Sequence, residues 1–206
     1  TVWGGSPYNN TNPKAKDALP RIRQLIFEGK NKEAQELCGP TICSPSANGM
    51  PYQTVGSLHL DFDGISNYND YYRDLDIAKA IATTRFTANG VTYTREAYTS
   101  FPDQVLVIRL TASQKKSISF TAKYTTPYKS NVVRSISSRK ELQLSGKAND
   151  HEGIEGKVEF TALTRIENSG GSLEATSDST LQVKNANSVT LYVSIGTNFV
   201  NYKDVS

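Results

Sequence analysis

The sequence predicts a mainly β fold: a large antiparallel β-sandwich, or supersandwich, with a short helical insert near its N-terminus. Three observations predict it. From Thr54 onward apolar residues recur at every second position, as in Leu58, Leu60 and Phe62 alternating with His59, Asp61 and Asp63. Short strand-like runs follow one another, separated by turn residues such as Asn89-Gly90, Gly153 and Gly170-Gly171. Before Thr54 the period is different, and an apolar stripe at helical spacing (Ile22, Leu25, Ile26) is present. Strands in such number after one helical segment indicate a sandwich rather than an α/β fold.

Each element follows from local chemistry. Residues 1–11 are a Gly- and Asn-rich loop. Asn12-Pro13 reads as N-cap and first helical residue, because Asn accepts a bond from an orphan amide and Pro has none to lose there. Pro20 predicts a break into two short helices. Gly29 is a C-cap candidate, and Asn31 opens another helix through Leu37. Residues 39–53 hold three prolines and two glycines and predict a long irregular loop. Strands are expected at 54–62, 70–77, 80–88, 91–100, 104–112, 117–126, 131–136, 140–147, 155–166, 172–176, 180–185 and 188–196. Asn89-Gly90 predicts a type I′ hairpin, which needs positive φ at both positions. Val105–Leu110 is nearly continuous in apolar character and is expected to be buried on both faces.

Length and composition bound the function. A chain of 206 residues is expected to form a single domain over 1–206. A net charge of +3, with Lys and Arg dispersed, excludes the clustered basic face that nucleic acid requires. No run approaches the ~18 apolar residues of a membrane span, so no membrane partner is expected. Thr1 stands inside a motif without an initiating Met, so the chain reads as a piece of a longer product. Cys38 and Cys43 flank Gly39-Pro40, where a turn could close a disulfide; two free thiols are the other reading. Zinc is not expected, since two thiols fill only half of a tetrahedral shell.

Several groups could carry chemistry. Asp61 and Asp63 share one strand face at ~6.5–7 Å, a spacing compatible with paired glycosidase carboxylates. Asp70, Asp74 and Asp76 lie nearby in sequence; the bland account of all five is a solvated face. His59 shares the Asp61 face and could seed a metal site, but no third ligand is visible. His151 sits between Asp150 and Glu152, and these acids with Glu155 are oxygen donors for calcium without a recognised loop motif. Tyr68, Tyr71 and Tyr72 could form a platform on which sugar rings stack, although tyrosine also favours strands in general. Trp3 is either a core plug or a contact residue. Its Gly-Gly-Ser-Pro setting permits close approach of another surface.

The opening Trp3-Gly4-Gly5-Ser6-Pro7-Tyr8 resembles the start of the N-terminal β-sandwich domain of glycoside hydrolase family 95, the α-L-fucosidase family. Further elements match that family in order: Pro51-Tyr52-Gln53-Thr54-Val55-Gly56, Tyr72-Arg73-Asp74-Leu75-Asp76-Ile77, Val91-Thr92-Tyr93-Thr94-Arg95-Glu96, and Phe101-Pro102-Asp103-Gln104-Val105. From 113 to 206 the similarity is one of strand pattern. The resemblance implies a non-catalytic domain of an inverting exo-glycosidase acting on α-L-fucosides or α-L-galactosides of glycans. It implies first strands before Thr1, and a downstream (α/α)6 barrel that carries the catalytic groups. No catalytic, metal or cofactor residue is then expected in this chain. Trp3, Tyr8 and Phe199 are expected at the contact with the barrel, and their apolar surface is expected to be open in its absence. A periplasmic or extracellular bacterial location is implied. A stand-alone carbohydrate-binding sandwich, or a purely structural sandwich, are the alternatives.

Overall fold

Fourteen strands and two helices form the described part of the chain, residues 2–44, 49–128 and 131–205 of a computed structural model. They fall into two compact units. The first comprises Thr1–Val2, Thr54–Lys147 and Glu159–Asn198; the second comprises Trp3–Gln53, Ala148–Val158 and Phe199–Ser206.

The first unit is an antiparallel sandwich of unequal layers. In chain order, β1 (Val2–Trp3) and β2 (Tyr52–Gln53) are short and belong to neither layer. They precede β3 (Ser57–Phe62), β4 (Asn69–Asp76), β5 (Ile81–Ala88), β6 (Val91–Ser100), β7 (Val105–Ala112) and β8 (Ile118–Thr125). Then come β9 (Val132–Ile136), β10 (Leu142–Lys147), β11 (Glu159–Ser169), β12 (Ser172–Ser177), β13 (Thr180–Ala186) and β14 (Ser188–Thr197). One sheet has eight strands in the order β4-β5-β6-β7-β14-β11-β10-β9; the other has four, β12-β13-β8-β3. The period-two reading therefore holds from β3 to β14. Asn89 (φ 50°) and Gly90 (φ 74°) make the type I′ turn, and Ala88 pairs with Val91.

The core lies between the layers. β8 alternates buried and half-buried residues along its whole length, presenting Ile118, Phe120, Ala122 and Tyr124 inward. They meet Leu110, Leu142, Leu144, Ala162, Val189 and Leu191 of the larger sheet. One polar pair is sealed in: the Tyr124 hydroxyl is 2.6 Å from Thr164 Oγ1, and Thr164 is fully buried. Burial pushes the Tyr124 phenol above its usual pKa, partly opposed by that hydrogen bond.

β7 corrects one expectation. Val107 and Leu110 are buried, but Arg109 is exposed and Leu106 and Ile108 are only half-buried. A four-stranded layer cannot cover an eight-stranded one, so the inner face around Leu106 and Ile108 is left partly open.

The second unit contains the helices α1 (Ala15–Phe27) and α2 (Asn31–Ile42), packed through Ile22, Leu25 and Ala34. Here proline is a poor guide. Pro20 lies inside α1 and Pro40 inside α2, so α1 is one helix and the first part of the expected 39–53 loop is helical. The residues four positions earlier, Lys16 and Glu36, are both exposed, so a carbonyl without its amide donor there is open to solvation at low cost. Ile26 is solvent-exposed, narrowing the predicted stripe to Ile22 and Leu25. Residues 45–48 of the expected loop lie outside the described residues.

Gly29 (φ 74°) closes α1 with a Schellman pair: Lys30 N donates to Leu25 O and Gly29 N to Ile26 O, at 2.9 and 3.0 Å. Asn31 is the first residue of α2 and caps nothing through its side chain. α1 starts two residues later than expected, with Lys14 and not Asn12 at the N-cap, yet the Asn12 side chain still bonds the approach to the helix. Its Oδ1 accepts from Lys14 N at 3.0 Å, and its buried Nδ2 donates to the carbonyls of Pro40 (3.2 Å) and Cys43 (2.8 Å). One amide thereby serves the start of α1 and the end of α2. Cys38 and Cys43 are free thiols. Cys43 N donates to Cys38 O at 3.3 Å, so the helix end, not a disulfide-closing turn, sets their separation.

Candidate functional site

The uncovered inner face of the eight-stranded sheet holds an open groove of about 800 Å³, walled on one side by β3. The Asn89-Gly90 turn fixes its register. Phe86 lies opposite Tyr93 and Thr84 opposite Arg95, while Arg73 of β4 pairs with Thr84. Side chains at these positions share one face because the strand period is two. Aromatic rings then run outward from the core. Phe120 touches Phe62 (5.3 Å), Phe62 meets Tyr93 edge-on (6.5 Å), and Tyr93 stacks on Phe86 (5.3 Å). Phe86 meets Tyr68 at 5.9 Å, and Tyr68 meets Tyr71 at 5.8 Å.

Arg95 sits on the floor of this groove. Its guanidinium carbon is 5.9 Å from the Phe62 ring centre, and its Nε is buried without a hydrogen-bond partner. Burial pulls its pKa below the usual arginine value, opposed by the Tyr71 phenol. The cation persists nonetheless, since arginine does not lose its proton in proteins. Arg73 shares the groove two strands away.

The outer face of the same sheet carries a second open groove of about 690 Å³. Its central row is Tyr98, Val107, Tyr192 and Arg165, set by direct cross-strand pairing. Arg165 grips Glu141 through Nε (2.9 Å) and Nη2 (2.8 Å), and Ser137 Oγ donates to the same carboxylate at 3.2 Å. The Arg165 hydrogen bond holds the Glu141 carboxyl below its usual pKa.

The predicted carboxylate pair does not form. β3 ends at Phe62, so Asp63 belongs to the turn before Gly64 and not to the Asp61 strand face. Asp61 is bridged to Lys123 Nζ at 2.9 Å, and that bond lowers its pKa. Asp76 accepts from the backbone of Lys79 and Ala78, both at 3.0 Å, and its pKa falls for that reason first. Asp70 adopts φ 53° in an irregularity of β4, and Asp74 is exposed on the outer face. Four carboxyls have a lowered pKa: Asp61 through Lys123, Asp76 through the Lys79 amide, Glu141 through Arg165 and Glu28 through Lys30.

His59 Nε2 is 2.8 Å from Thr125 Oγ1, a local pairing on an exposed strand. His151 and Ile154 close a tight turn, and Asp150 Oδ1 accepts from Gly156 N at 3.0 Å. No group of three metal-ligating side chains converges among the described residues. Of the tyrosine trio, Tyr68 and Tyr71 line the inner groove. Tyr72 does not, because it points to the opposite face, where Arg85 lies 5.6 Å from its ring centre.

Trp3 and Phe199 meet edge-on at 5.8 Å in the second unit, where Trp3 also packs on Ala148, Val158 and Val205. Trp3 is half-buried, while Tyr8 and Phe199 are exposed. The indole lies flat on Gly5: a Cβ there would fall 1.9 Å from the ring. No described helix is long and apolar enough to cross a membrane.

Sequence reasoning missed Arg95 and Arg73 as groove residues. The signal was present: a two-residue turn at 89–90 sets Phe86 against Tyr93 and Thr84 against Arg95 by counting outward.

Residues 1–202 match the family described as "Glycosyl hydrolase family 65, N-terminal domain". The protein is 29% identical over 225 residues to "Alpha-L-fucosidase 2" of Arabidopsis thaliana, an alignment spanning 97% of this chain and 26% of the relative. It is 30% identical over 120 residues to "Probable alpha-fucosidase A" of Aspergillus niger (55% and 14% of the two chains). To the Aspergillus oryzae protein of the same description it is 24% identical over 208 residues (96% and 27%). The chain thus spans about a quarter, or less, of the length of these relatives. With a mainly β fold and a match that runs nearly from end to end, this chain belongs to the N-terminal domain family of glycosyl hydrolase family 65 type enzymes.

Proposed function

We propose that this chain is the non-catalytic N-terminal β-sandwich of a family 95 exo-α-L-fucosidase that inverts the anomeric centre. The hydrolysed glycan is bound and cleaved by an (α/α)6 barrel elsewhere in the longer protein. The observation that carries this reading is the match of residues 1–202 to a glycosyl hydrolase N-terminal domain family, by a chain that spans about a quarter of the length of its α-fucosidase relatives. Inverting hydrolysis needs a general acid kept protonated near neutral pH, opposite a base ~6.5–9.5 Å away. Asp61, Asp76 and Glu141 are each held ionised by a cation or by backbone donors, which suits surface structure and not proton donation. The relatives' α-fucosidase descriptions and their much greater length support the same reading.

In this proposal Trp3, Tyr8 and Phe199 face the barrel. The exposure of Tyr8 and Phe199, and the flat contact of half-buried Trp3 on Gly5, suit an inter-domain surface, which is typically more polar and smaller than a core. The protein works outside the cytoplasm of a bacterium, which fractionation would test.

The experiment compares the isolated chain with the longer protein on an aryl α-L-fucoside and on 2′-fucosyllactose. The longer protein is expected to release fucose as the inverted anomer, seen by proton NMR, and the isolated chain to release none. Turnover by the isolated chain that is lost on Asp61→Asn would overturn the proposal.

A further inference from the structure

We propose that the inner-face groove is a binding site for a saccharide bearing a carboxylate, with Arg95 and Arg73 as its anion-reading residues. This goes beyond the hydrolytic reading and does not depend on it, since the groove is built entirely within the sandwich unit, from its strands and the segment between β3 and β4.

Charge complementarity identifies the ligand class. Arg95 has a buried Nε with no hydrogen-bond partner, and its guanidinium lies over the face of Phe62. A partly desolvated guanidinium without an acceptor is costly, and its planar fork matches a carboxylate in two places. Arg73 adds a second cation on the same face, two strands away, roughly 9–10 Å at the backbone. Asp61 is the acid lining this groove; it is on the β3 wall and already engaged by Lys123. It leaves the two guanidinium groups available to an incoming anion.

The aromatic residues favour a sugar over a peptide. Tyr68, Tyr71 and Phe86 supply ring faces beside the arginines, and the tyrosines add hydroxyls at the rim. Sugar rings present an apolar face to such platforms and hydroxyls to their edges. A volume of about 800 Å³ accommodates a short oligosaccharide in an open groove rather than a single enclosed ring. A uronate sugar places the carboxylate and the stacking face on one ring, which is the combination that Arg95 and Tyr71 present together.

The test titrates the chain with an oligosaccharide ending in glucuronic acid, followed by calorimetry and by amide NMR shifts. The comparison ligands are the matched neutral oligosaccharide, an acidic hexapeptide and acetate. The uronate saccharide is expected to bind and to move amides of Thr84, Phe86, Arg95 and Tyr71. The neutral sugar is expected to bind roughly tenfold or more weakly, the scale of a charge-assisted hydrogen bond. Arg95→Met is expected to remove that preference while melting no lower than the parent, since it removes an unpaired buried charge. Arg73→Gln, at an exposed position, is expected to weaken binding severalfold without touching the fold. Arg95→Lys is expected to recover only part of the affinity, because it keeps the charge and loses the fork. Absence of uronate binding to the parent would refute the proposal. So would equal affinity for the neutral sugar, tighter binding of the hexapeptide, or full binding by Arg95→Met.

Discussion

Thr164→Val tests how the two layers are held in register by a single polar contact. The substitution keeps the side-chain shape and removes the hydroxyl that meets Tyr124 at 2.6 Å. Both residues are almost wholly buried, Thr164 at 0% and Tyr124 at 6% exposure, so water cannot take over the lost bond. Leaving one buried hydroxyl unsatisfied costs about 1–3 kcal/mol. Tyr124→Phe is expected to cost a similar amount from the other side. The double variant removes both polar groups at once and is expected to lie within about 1 kcal/mol of the parent, because an apolar pair of the same shape carries no desolvation penalty. The coupling between the sites, the two single losses less that of the double variant, is then about 1–6 kcal/mol and favourable. For a chain of this length each kcal/mol moves the midpoint of thermal unfolding by about 2–4 °C. Urea titration followed by far-ultraviolet circular dichroism, with unchanged slope across the four proteins, gives the cycle directly. Two neutral single variants, or losses that add in the double variant, would refute the claim that the pair is sealed from solvent and mutually dependent.

Three further outcomes follow. Above pH 10 the unfolded chain releases the Tyr124 proton while the folded chain retains it, because burial raises the folded pKa. The stabilisation present below the unfolded value is therefore lost as pH rises, and the alkaline fall in stability is expected to flatten in Tyr124→Phe. Asn12→Ala removes three hydrogen bonds that join the start of α1 to the end of α2, and is expected to destabilise the helical unit by about 2–4 kcal/mol; helical signal loss on heating measures it. Gly5→Ala drives a methyl group into the Trp3 indole, and is expected to shift tryptophan emission and lower the melting temperature, whereas Gly39→Ala, which meets nothing and lies inside α2, is expected to leave the emission unchanged and raise the melting temperature slightly.

The β architecture was legible because one face of nearly every strand is covered and the other is wet. β8 shows this in pure form, buried and half-buried by turns, and the Asn89-Gly90 turn announces both its hairpin and its register. The helical unit was less legible. Pro20 and Pro40 read as breaks, yet the residues whose carbonyls they leave bare are exposed, and a solvated carbonyl gives no local reason to stop a helix. β7 misled for a different reason. Its apolar run depends on what lies above it, and sheet widths of eight and four are set by pairings far apart in sequence. The tyrosine platform was half visible: spacing places Tyr71 and Tyr72 on opposite faces, so only one could join Tyr68. Arg95 went unrecognised as a site residue because a lone arginine in a strand ordinarily reaches solvent, and only the β3 wall and the aromatic chain cover it.

The place of β14 has a consequence for how the chain assembles on the ribosome. The eight-stranded sheet consists of one run, β4 to β7, another, β9 to β11, and β14 lying between them with long ladders to both. The first run is complete at Ala112 and the second at Ser169, but the strand that joins them is Ser188–Thr197, which follows both in chain order. Two half-sheets with open edges must wait for it during synthesis, and such edges invite wrong partners. Collapse into one sheet is then a late, long-range event with the slow kinetics of non-local pairing. A chain released before Ser188 is expected to expose both open edges, and one released after Thr197 to close them.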